Sequence, residues 1–140
     1  MIKNYYFDTC IWRDFYENRF GSGGRKLGEI AANLFMYIIK NKKILNYSDF
    51  IVLELKRDYN PNEIELMLNF LFLSNILMKI EISKEDYVKS KQIGAELNIP
   101  PGDVLHAIIS KKSNSILVSQ DNHMQKLKHL VEVKKPEEII

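Results

Sequence analysis

Four acidic residues, Asp8, Glu54, Asp103 and Asp121, occupy positions from which an α/β fold would bring them to one edge of its sheet. Each of the three Asp residues follows a short apolar run or a Pro-Gly stop and precedes a helical pattern. Clustered carboxylates repel one another unless a cation or a proton compensates their charge. Because Mg²⁺ and Mn²⁺ prefer oxygen ligands, these four residues predict a site for one of those cations.

The three Asp residues also have a simpler interpretation as helix caps or first-turn acids, which complement the free N–H groups of a helix start. Glu54 fits that interpretation poorly, because the apolar residues around it in segment 50–55 leave almost no polar face for it. A buried carboxylate needs a cationic partner, a hydrogen bond, a proton or a metal ion. Lys56 and Arg57 are the adjacent candidates for an ion pair.

Apolar periodicity predicts strands that alternate with helices along the whole chain. We expect strands at residues 2–7, 44–47, 77–82, 115–118 and 130–133. We expect helices at residues 9–18, 26–40, 61–72, 84–97 and 122–128, with two more that begin after a cap at Ser48 or Asp49 and at Asp103. This alternation is typical of an α/β fold with a mostly parallel sheet that is covered on both faces. Ligands bind beyond the carboxyl ends of such strands, where two of the acids would lie.

The composition suits one compact domain, residues 1–140, since 46% of the 140 residues are hydrophobic. No apolar run approaches the length of a membrane span, and residues 1–5 lack the apolar core of a signal peptide. We therefore expect a cytoplasmic protein with no membrane partner. The formal net charge is +2, but without the four acids 14 acidic residues face 20 Lys and Arg, a balance of +6. Such a surface favours a polyanionic ligand, and an ordinary solvated surface is the equally good alternative interpretation.

The remaining polar and flexible features have simpler interpretations. The single cysteine, Cys10, excludes an internal disulfide and a Cys-based metal site, and we expect it to be a small buried hydrophobe. The segment Gly21–Gly24 lacks the Gly-Lys-Ser/Thr ending of a P-loop and favours a mobile loop near the site. His106 follows the third acid by one helical turn and could help to bind substrate, although a hydrogen-bonded core histidine is commoner. We expect His123 and His129 on the surface.

The sequence motifs resemble those of the PIN-domain nucleases, and most closely the VapC-like ribonuclease toxins of toxin-antitoxin modules. Residues 6–9, Tyr-Phe-Asp-Thr, are similar to the opening strand of that family, and Glu54 is similar to its helix-borne Glu. Residues 101–107 and 118–121 resemble its third and fourth acidic motifs, so the likeness covers essentially the whole chain. The chain departs from the pattern at Met124, where the family often has an aromatic residue after an acid or Asn.

The resemblance implies an α/β/α sandwich with a five-stranded parallel sheet. It implies a metal-dependent endoribonuclease that cleaves RNA phosphodiester bonds by metal-activated water. Mg²⁺ or Mn²⁺ would be ligated by Asp8, Glu54, Asp103 and Asp121. Thr9 and Ser119 would supply hydroxyls that position water or a carboxylate. Asn122 could be an outer ligand. A toxin role, a cognate antitoxin protein and a homodimer are further implications of the likeness.

Other classes of protein fit the residues less well. A haloacid dehalogenase needs a second Asp two residues after the first, where this chain has Cys10, and a receiver domain needs an acidic pair that is absent beside Asp8. A catalytically degenerate PIN-like module that binds RNA or protein is the main alternative, although a repulsive carboxylate cluster would not help it bind an anion.

Four apolar residues on the first helices could form a dimer face or an antitoxin groove, although core packing is their commoner fate: Trp12, Phe15, Phe20 and Phe35.

Overall fold

The computed structural model describes residues 4–140 and contains a sheet of five parallel strands. The strands in chain order are β1 Asn4–Phe7, β2 Leu45–Tyr47, β3 Leu77–Lys79, β4 Ser115–Val118 and β5 Val133–Lys134. Their order across the sheet is β3-β2-β1-β4-β5, and every neighbouring pair is parallel. The first strand is therefore central, and its carboxyl end lies beside the carboxyl end of β4.

Helices connect the strands and cover both faces of the sheet, which makes the fold a three-layer α/β/α sandwich, as the sequence predicts. The α-helices are α1 Thr9–Glu17, α2 Leu27–Lys40, α3 Asp49–Leu55, α4 Pro61–Leu73, α5 Lys84–Leu97 and α6 Pro101–Lys112. Three short 3-10 helices lie at Ser22–Gly24, Asn122–Leu127 and Pro136–Glu138. No helix in this described part of the chain is long and apolar enough to cross a membrane.

Alternate side chains of β1 show why both of its faces are buried. Tyr5 and Phe7 point toward α2, where their rings contact Tyr37 and Phe35 at centroid distances of 6.2 and 5.2 Å. Tyr6 points the other way and contacts His106 of α6. Because successive side chains of a strand point to opposite faces, three consecutive aromatic residues suit a central strand between two helical layers.

Several predicted boundaries are wrong. The predicted strand at 77–82 ends at Lys79, since its neighbour β2 has only three residues and offers no further partners. The predicted strand at 130–133 begins only at Val133, because a turn fills the preceding residues. The helix expected from Asp103 begins at Pro101. Proline is tolerated there because the N–H that it lacks would have no partner inside the helix at the first helical position. Residues 2 and 3 of the first predicted strand lie outside the described range.

Two local expectations also need correction. Ser48 precedes α3, but its hydroxyl does not cap that helix; it forms a hydrogen bond with the buried hydroxyl of Tyr6 instead, at 2.8 Å. The helix predicted at 122–128 is a 3-10 helix over Asn122–Leu127. The mobility expected for Gly21–Gly24 stays a prediction, although Gly23 and Gly24 have φ values of 67° and 78°, which favour glycine.

Trp12, Phe15 and Phe35 form an aromatic cluster between α1 and α2, which buries most of the apolar residues considered for a docking face. Trp12 and Phe35 are buried, with 1% of each exposed, and Phe15 is half-buried against Phe35. These three residues form core rather than a docking face. Of the four candidates for such a face, Phe20 alone is well exposed, at 68%.

Asp14 is an acid buried within α1, with 4% of its surface exposed. Burial, together with the smaller effects of the charges of Glu17 and Asp8, raises the pKa of Asp14 to about 6 against the opposing charge of Arg19. Since this pKa lies above its ordinary value, the ionised carboxylate destabilises the fold above pH 6, and that penalty disappears as the pH falls toward 4.

We therefore expect Asp14→Asn to increase the free energy of unfolding by about 1–3 kcal/mol at pH 7.5 and to change it little at pH 4. Urea unfolding at both pH values measures the difference. Glu29→Gln, which removes an exposed acid from α2, is the control and should have little effect at either pH. An increase in the free energy of unfolding that is equal at both pH values would contradict the raised pKa of Asp14.

Candidate carboxylate site

Asp8 is held at the carboxyl end of the central strand by the residues that follow β4. Phe7 lies opposite Val118 in the register, and the Asp8 amide donates to the Val118 carbonyl at 2.9 Å. The Ser119 hydroxyl donates to Asp8 Oδ2 at 2.7 Å and accepts from the Asp121 amide at 3.0 Å. Parallel pairing of β1 and β4 thus fixes Asp8, Ser119 and the start of the fourth motif beside one another.

Asp8 precedes α1 but does not cap it, because its side chain accepts no hydrogen bond from a helix amide. The thiol of Cys10 lies 3.5 Å from Asp8 Oδ2. Cys10 is half-buried, packs against the hydrophobic core and borders the site. Burial and then the charge of Asp8 raise the pKa of Cys10 well above its ordinary value, which disfavours a nucleophilic thiolate.

Glu54 reaches the same edge of the sheet from α3. Its Oε1 accepts hydrogen bonds from Thr9 Oγ1 at 2.7 Å and His106 Nε2 at 2.6 Å, and Arg13 donates to its backbone carbonyl at 2.9 Å. Burial raises the pKa of Glu54, but the hydrogen bonds from His106 and Thr9 outweigh that effect and hold the pKa below its ordinary value. The Glu54 carboxylate is therefore ionised near neutral pH.

The sequence interpretation of Glu54 is corrected in two respects. The residue is half-buried, with 19% of its side chain exposed, and Leu53 beside it is 54% exposed, so α3 is not covered on every side. Lys56 and Arg57 are both exposed, and the described chain has no ion pair between either and Glu54. The partner of this carboxylate is instead a histidine from another helix.

Asp103 and Asp121 complete the group. Asp103 lies in the first turn of α6, and burial followed by the charges of Asp8, Asp121 and Glu54 raises its pKa to about 6, while His106 opposes the rise. Only carboxylates in the same neighbourhood exert such an effect. Asp121 does cap the 3-10 helix that follows it, through a hydrogen bond from an amide to its Oδ1 at 2.9 Å.

His106 is buried and hydrogen-bonded, with 1% of its surface exposed. Its Nδ1 lies 2.8 Å from the Tyr6 hydroxyl, and its Nε2 lies 3.7 Å from Asp8 Oδ1 as well as 2.6 Å from Glu54 Oε1. Burial lowers the pKa of His106, yet the hydrogen bond to Glu54 and the charge of Asp8 together raise it above its ordinary value. Sequence reasoning expected a core histidine but missed its contact with the acids.

Two further neighbours of the acids were missed from the sequence. His123 is exposed as expected, but it offers a nitrogen in a group with Asp103 and Asp121 whose ligand atoms lie within 4.8 Å of one another. Gly102 allows α6 to approach α3, since a Cβ there would lie 3.2 Å from the Phe50 ring. The sequence Pro-Gly-Asp at residues 101–103 was the feature from which the close approach at Gly102 could have been inferred.

Each of the four carboxylates retains an oxygen that accepts no hydrogen bond within residues 4–140. These atoms are Asp8 Oδ1, Glu54 Oε2, both oxygens of Asp103 and Asp121 Oδ2. A second group, Asp8, Glu54 and His106, also offers ligand atoms within 4.8 Å of one another. Free carboxylate oxygens on neighbouring acids match the donor set of a hard divalent cation.

The fold resembles two solved structures over nearly its whole length. The crystal structure of VapBC2 from Rickettsia felis, bound to a DNA fragment from their promoter, matches with a TM-score of 0.63 and 20% identity over 96% of this chain and 98% of that chain. The crystal structure of PAE2754 from Pyrobaculum aerophilum matches with a TM-score of 0.58 and 13% identity over 99% and 95%. These likenesses support the PIN-like, VapC-like fold that the motifs imply. No protein-family model and no curated protein matches the sequence.

Proposed function

We propose that this chain is a metal-dependent endoribonuclease that hydrolyses RNA phosphodiester bonds, and that it acts as the toxin of a toxin-antitoxin pair. The observation that carries the proposal is the presence of two groups, each with ligand atoms that lie within 4.8 Å of one another, one formed by Asp8, Glu54 and His106 and the other by Asp103, Asp121 and His123. The charges of Asp8, Asp121 and Glu54 add to burial in raising the pKa of Asp103, which indicates that the two groups are neighbours. A cluster of carboxylates that repel one another has no benefit for a protein that binds an anion directly. A cation between the carboxylates and the anion removes the conflict.

Four residues would hold Mg²⁺ or Mn²⁺ through their free oxygens: Asp8, Glu54, Asp103 and Asp121. Oxygen-only ligation favours these ions over zinc. When bound, such an ion lowers the pKa of a water and stabilises the leaving oxygen of a phosphodiester.

The hydroxyls of Thr9 and Ser119 would position carboxylates rather than react themselves. Thr9 donates to Glu54 Oε1, and Ser119 donates to Asp8 Oδ2. Each bond occupies one carboxylate oxygen and restrains the side chain of the acid, which would leave the other oxygen to bind the cation. Positioned ligands bind a metal ion more tightly than mobile ones, because less side-chain freedom is lost on binding.

Charge and fold support the remaining parts of the proposal. When the four site acids are left out, Lys and Arg outnumber the remaining Asp and Glu by six. This excess favours RNA as the substrate, because its phosphates attract Lys and Arg. The fold likeness to VapBC2, a complex bound to promoter DNA, supports an antitoxin protein as partner. A homodimer is part of the same proposal, and the exposed apolar residues Leu66 and Leu73 of α4 are available to an interface.

A cleavage assay on mixed RNA tests the proposal. We expect endonucleolytic products with Mg²⁺ or Mn²⁺, none with EDTA, and recovery when either ion is restored in excess of the chelator. Product ends located within the RNA, rather than single nucleotides removed from a terminus, would establish an endonuclease.

Two outcomes would contradict the proposal. Cleavage that persists in EDTA would refute the metal-dependent mechanism. RNA binding without cleavage in either metal would favour the alternative, a degenerate PIN-like binding module. Cleavage of a matched DNA substrate tests the substrate class. Co-purification with the product of the neighbouring gene tests the partner.

A further inference from the structure

A chain of buried hydrogen bonds runs from the interior of the sandwich to the carboxylate site. Ser48 Oγ lies 2.8 Å from the Tyr6 hydroxyl, which lies 2.8 Å from His106 Nδ1. His106 Nε2 then lies 2.6 Å from Glu54 Oε1. Ser48 and Tyr6 have no exposed surface and His106 has 1%, so no solvent competes for these bonds.

The direction of the last bond follows from the chemistry of its two groups. An ionised carboxylate only accepts hydrogen bonds, so Nε2 of His106 must carry the hydrogen that points at Glu54. In the neutral ring, Nδ1 then accepts from Tyr6, which accepts from Ser48; in the charged ring, both bonds reverse. The bond from His106 Nε2 to Glu54 is the same in either case, so the hold on Glu54 Oε1 does not depend on the charge of the ring.

The bonds to Oε1 leave the other oxygen of Glu54 for a cation. Glu54 Oε2 lies 3.9 Å from the position of a Cβ on Gly102, and so faces the first turn of α6, which also carries Asp103. We propose that His106, supported by Tyr6, is a positioning residue that holds Glu54 Oε1 so that Oε2 is the ligand atom. This role rests on the proposed metal site and adds a determinant of its affinity.

The distances favour this role over direct ligation by His106. Two adjacent ligand atoms of an octahedral Mg²⁺ lie about 3 Å apart, since each bond is about 2.1 Å long. His106 Nε2 and Glu54 Oε1 are 2.6 Å apart, which is a hydrogen-bond distance. Residues that hydrogen-bond to metal ligands and hold them in place change metal affinity by about 10–100-fold when they are removed.

Two replacements of His106 separate positioning from simple packing. The side-chain amide of Gln can place a nitrogen donor near the position of Nε2, whereas Asn is one methylene shorter and reaches only to the position of Nδ1. We expect His106→Asn to raise the dissociation constant for Mn²⁺ by about 10–100-fold and His106→Gln to raise it by less than about threefold. Isothermal titration calorimetry measures both, and thermal unfolding shows whether each variant is folded.

Tyr6→Phe provides a third measurement that keeps the ring at position 6 and removes only its hydroxyl. We expect a weakening for Mn²⁺ that lies between those of the two His106 variants, because the bond to Glu54 remains while its support is lost. The Tyr6 variant also covers the case in which either replacement of His106 fails to fold. Equal weakening by His106→Asn and His106→Gln, or no effect of Tyr6→Phe and His106→Asn, would overturn the positioning role.

Electron paramagnetic resonance of bound Mn²⁺ distinguishes positioning from ligation. In protein labelled with ¹⁵N-histidine and carrying His123→Ala, we expect no nitrogen coupling to the ion; a coupling that His106→Gln abolishes would make His106 a ligand and refute the proposal. Absence of Mn²⁺ binding by the unaltered protein would refute both this inference and the proposed function. Mn²⁺ binding without RNA cleavage would refute the nuclease alone, since the dissociation constants still report on His106.

Discussion

Replacing Asp8 by Asn is expected to lower the rate of RNA cleavage by about 10³-fold or more while the protein stays folded. Asp8 is buried at the carboxyl end of β1, where 7% of its surface is exposed. An Asn side chain has the same shape and still accepts the hydrogen bond from Ser119, but it carries no charge. The variant therefore separates the electrostatic role of Asp8 from its role in packing.

The stability of the Asp8→Asn protein without metal provides an internal check. Since the charge of Asp8 is one cause of the raised pKa of Asp103, its removal relieves repulsion inside the site. We therefore expect a melting temperature equal to or above that of the unaltered chain when EDTA is present. A folded and inactive protein cannot be explained by a lost core.

Single-turnover cleavage at saturating Mg²⁺ measures the effect of Asp8→Asn on the chemical step. Glu65→Gln is the matched control, because it removes one negative charge from an exposed position on α4. It should retain the full cleavage rate. A rate for Asp8→Asn above about a tenth of that of the unaltered protein would show that this carboxylate is not needed for catalysis.

The position of Asp8 is predictable from local sequence, whereas the contacts of Glu54 are not. An apolar run that ends in Asp and leads into a helix identifies the carboxyl end of a strand, and parallel pairing then brings Asp8 beside Ser119. The bond between Glu54 and His106 joins residues 52 positions apart, and the bond between Tyr6 and His106 joins residues 100 positions apart. Such pairs depend on how α3 and α6 pack, which no local pattern records.

The same distinction explains the errors in the elements. Most helices were predicted closely because their apolar spacing and caps are local, as in the α5 helix that begins after Ser83. The predicted end of β3 was wrong because a strand extends only as far as its neighbour offers partners. The predicted start of β5 was wrong because a turn precedes Val133. Leu53 is exposed although its segment is apolar, since the tertiary packing of α3 decides which of its sides is covered.

Phe35 is expected to be the costliest single truncation in the aromatic cluster, because its ring touches four others. Its centroid lies 5.2 Å from that of Phe7, 5.1 Å from Trp12, 5.0 Å from Phe15 and 6.2 Å from Phe70. With 1% of Phe35 exposed, its removal leaves a cavity between α1, α2 and β1 that neighbouring rings cannot fill without leaving their own contacts.

We expect Phe35→Ala to lower the free energy of unfolding by about 3–5 kcal/mol, a large part of the stability of a domain of this size. Urea unfolding measures the loss, and Met36→Ala is the control on the same helix, since Met36 is 46% exposed and should cost about 1 kcal/mol or less. Equal losses for the two variants would show that the ring cluster does not hold α2 to the sheet. Because Phe7 packs on Phe35 and directly precedes Asp8, a folded Phe35→Ala protein should also bind Mn²⁺ more weakly than Met36→Ala does.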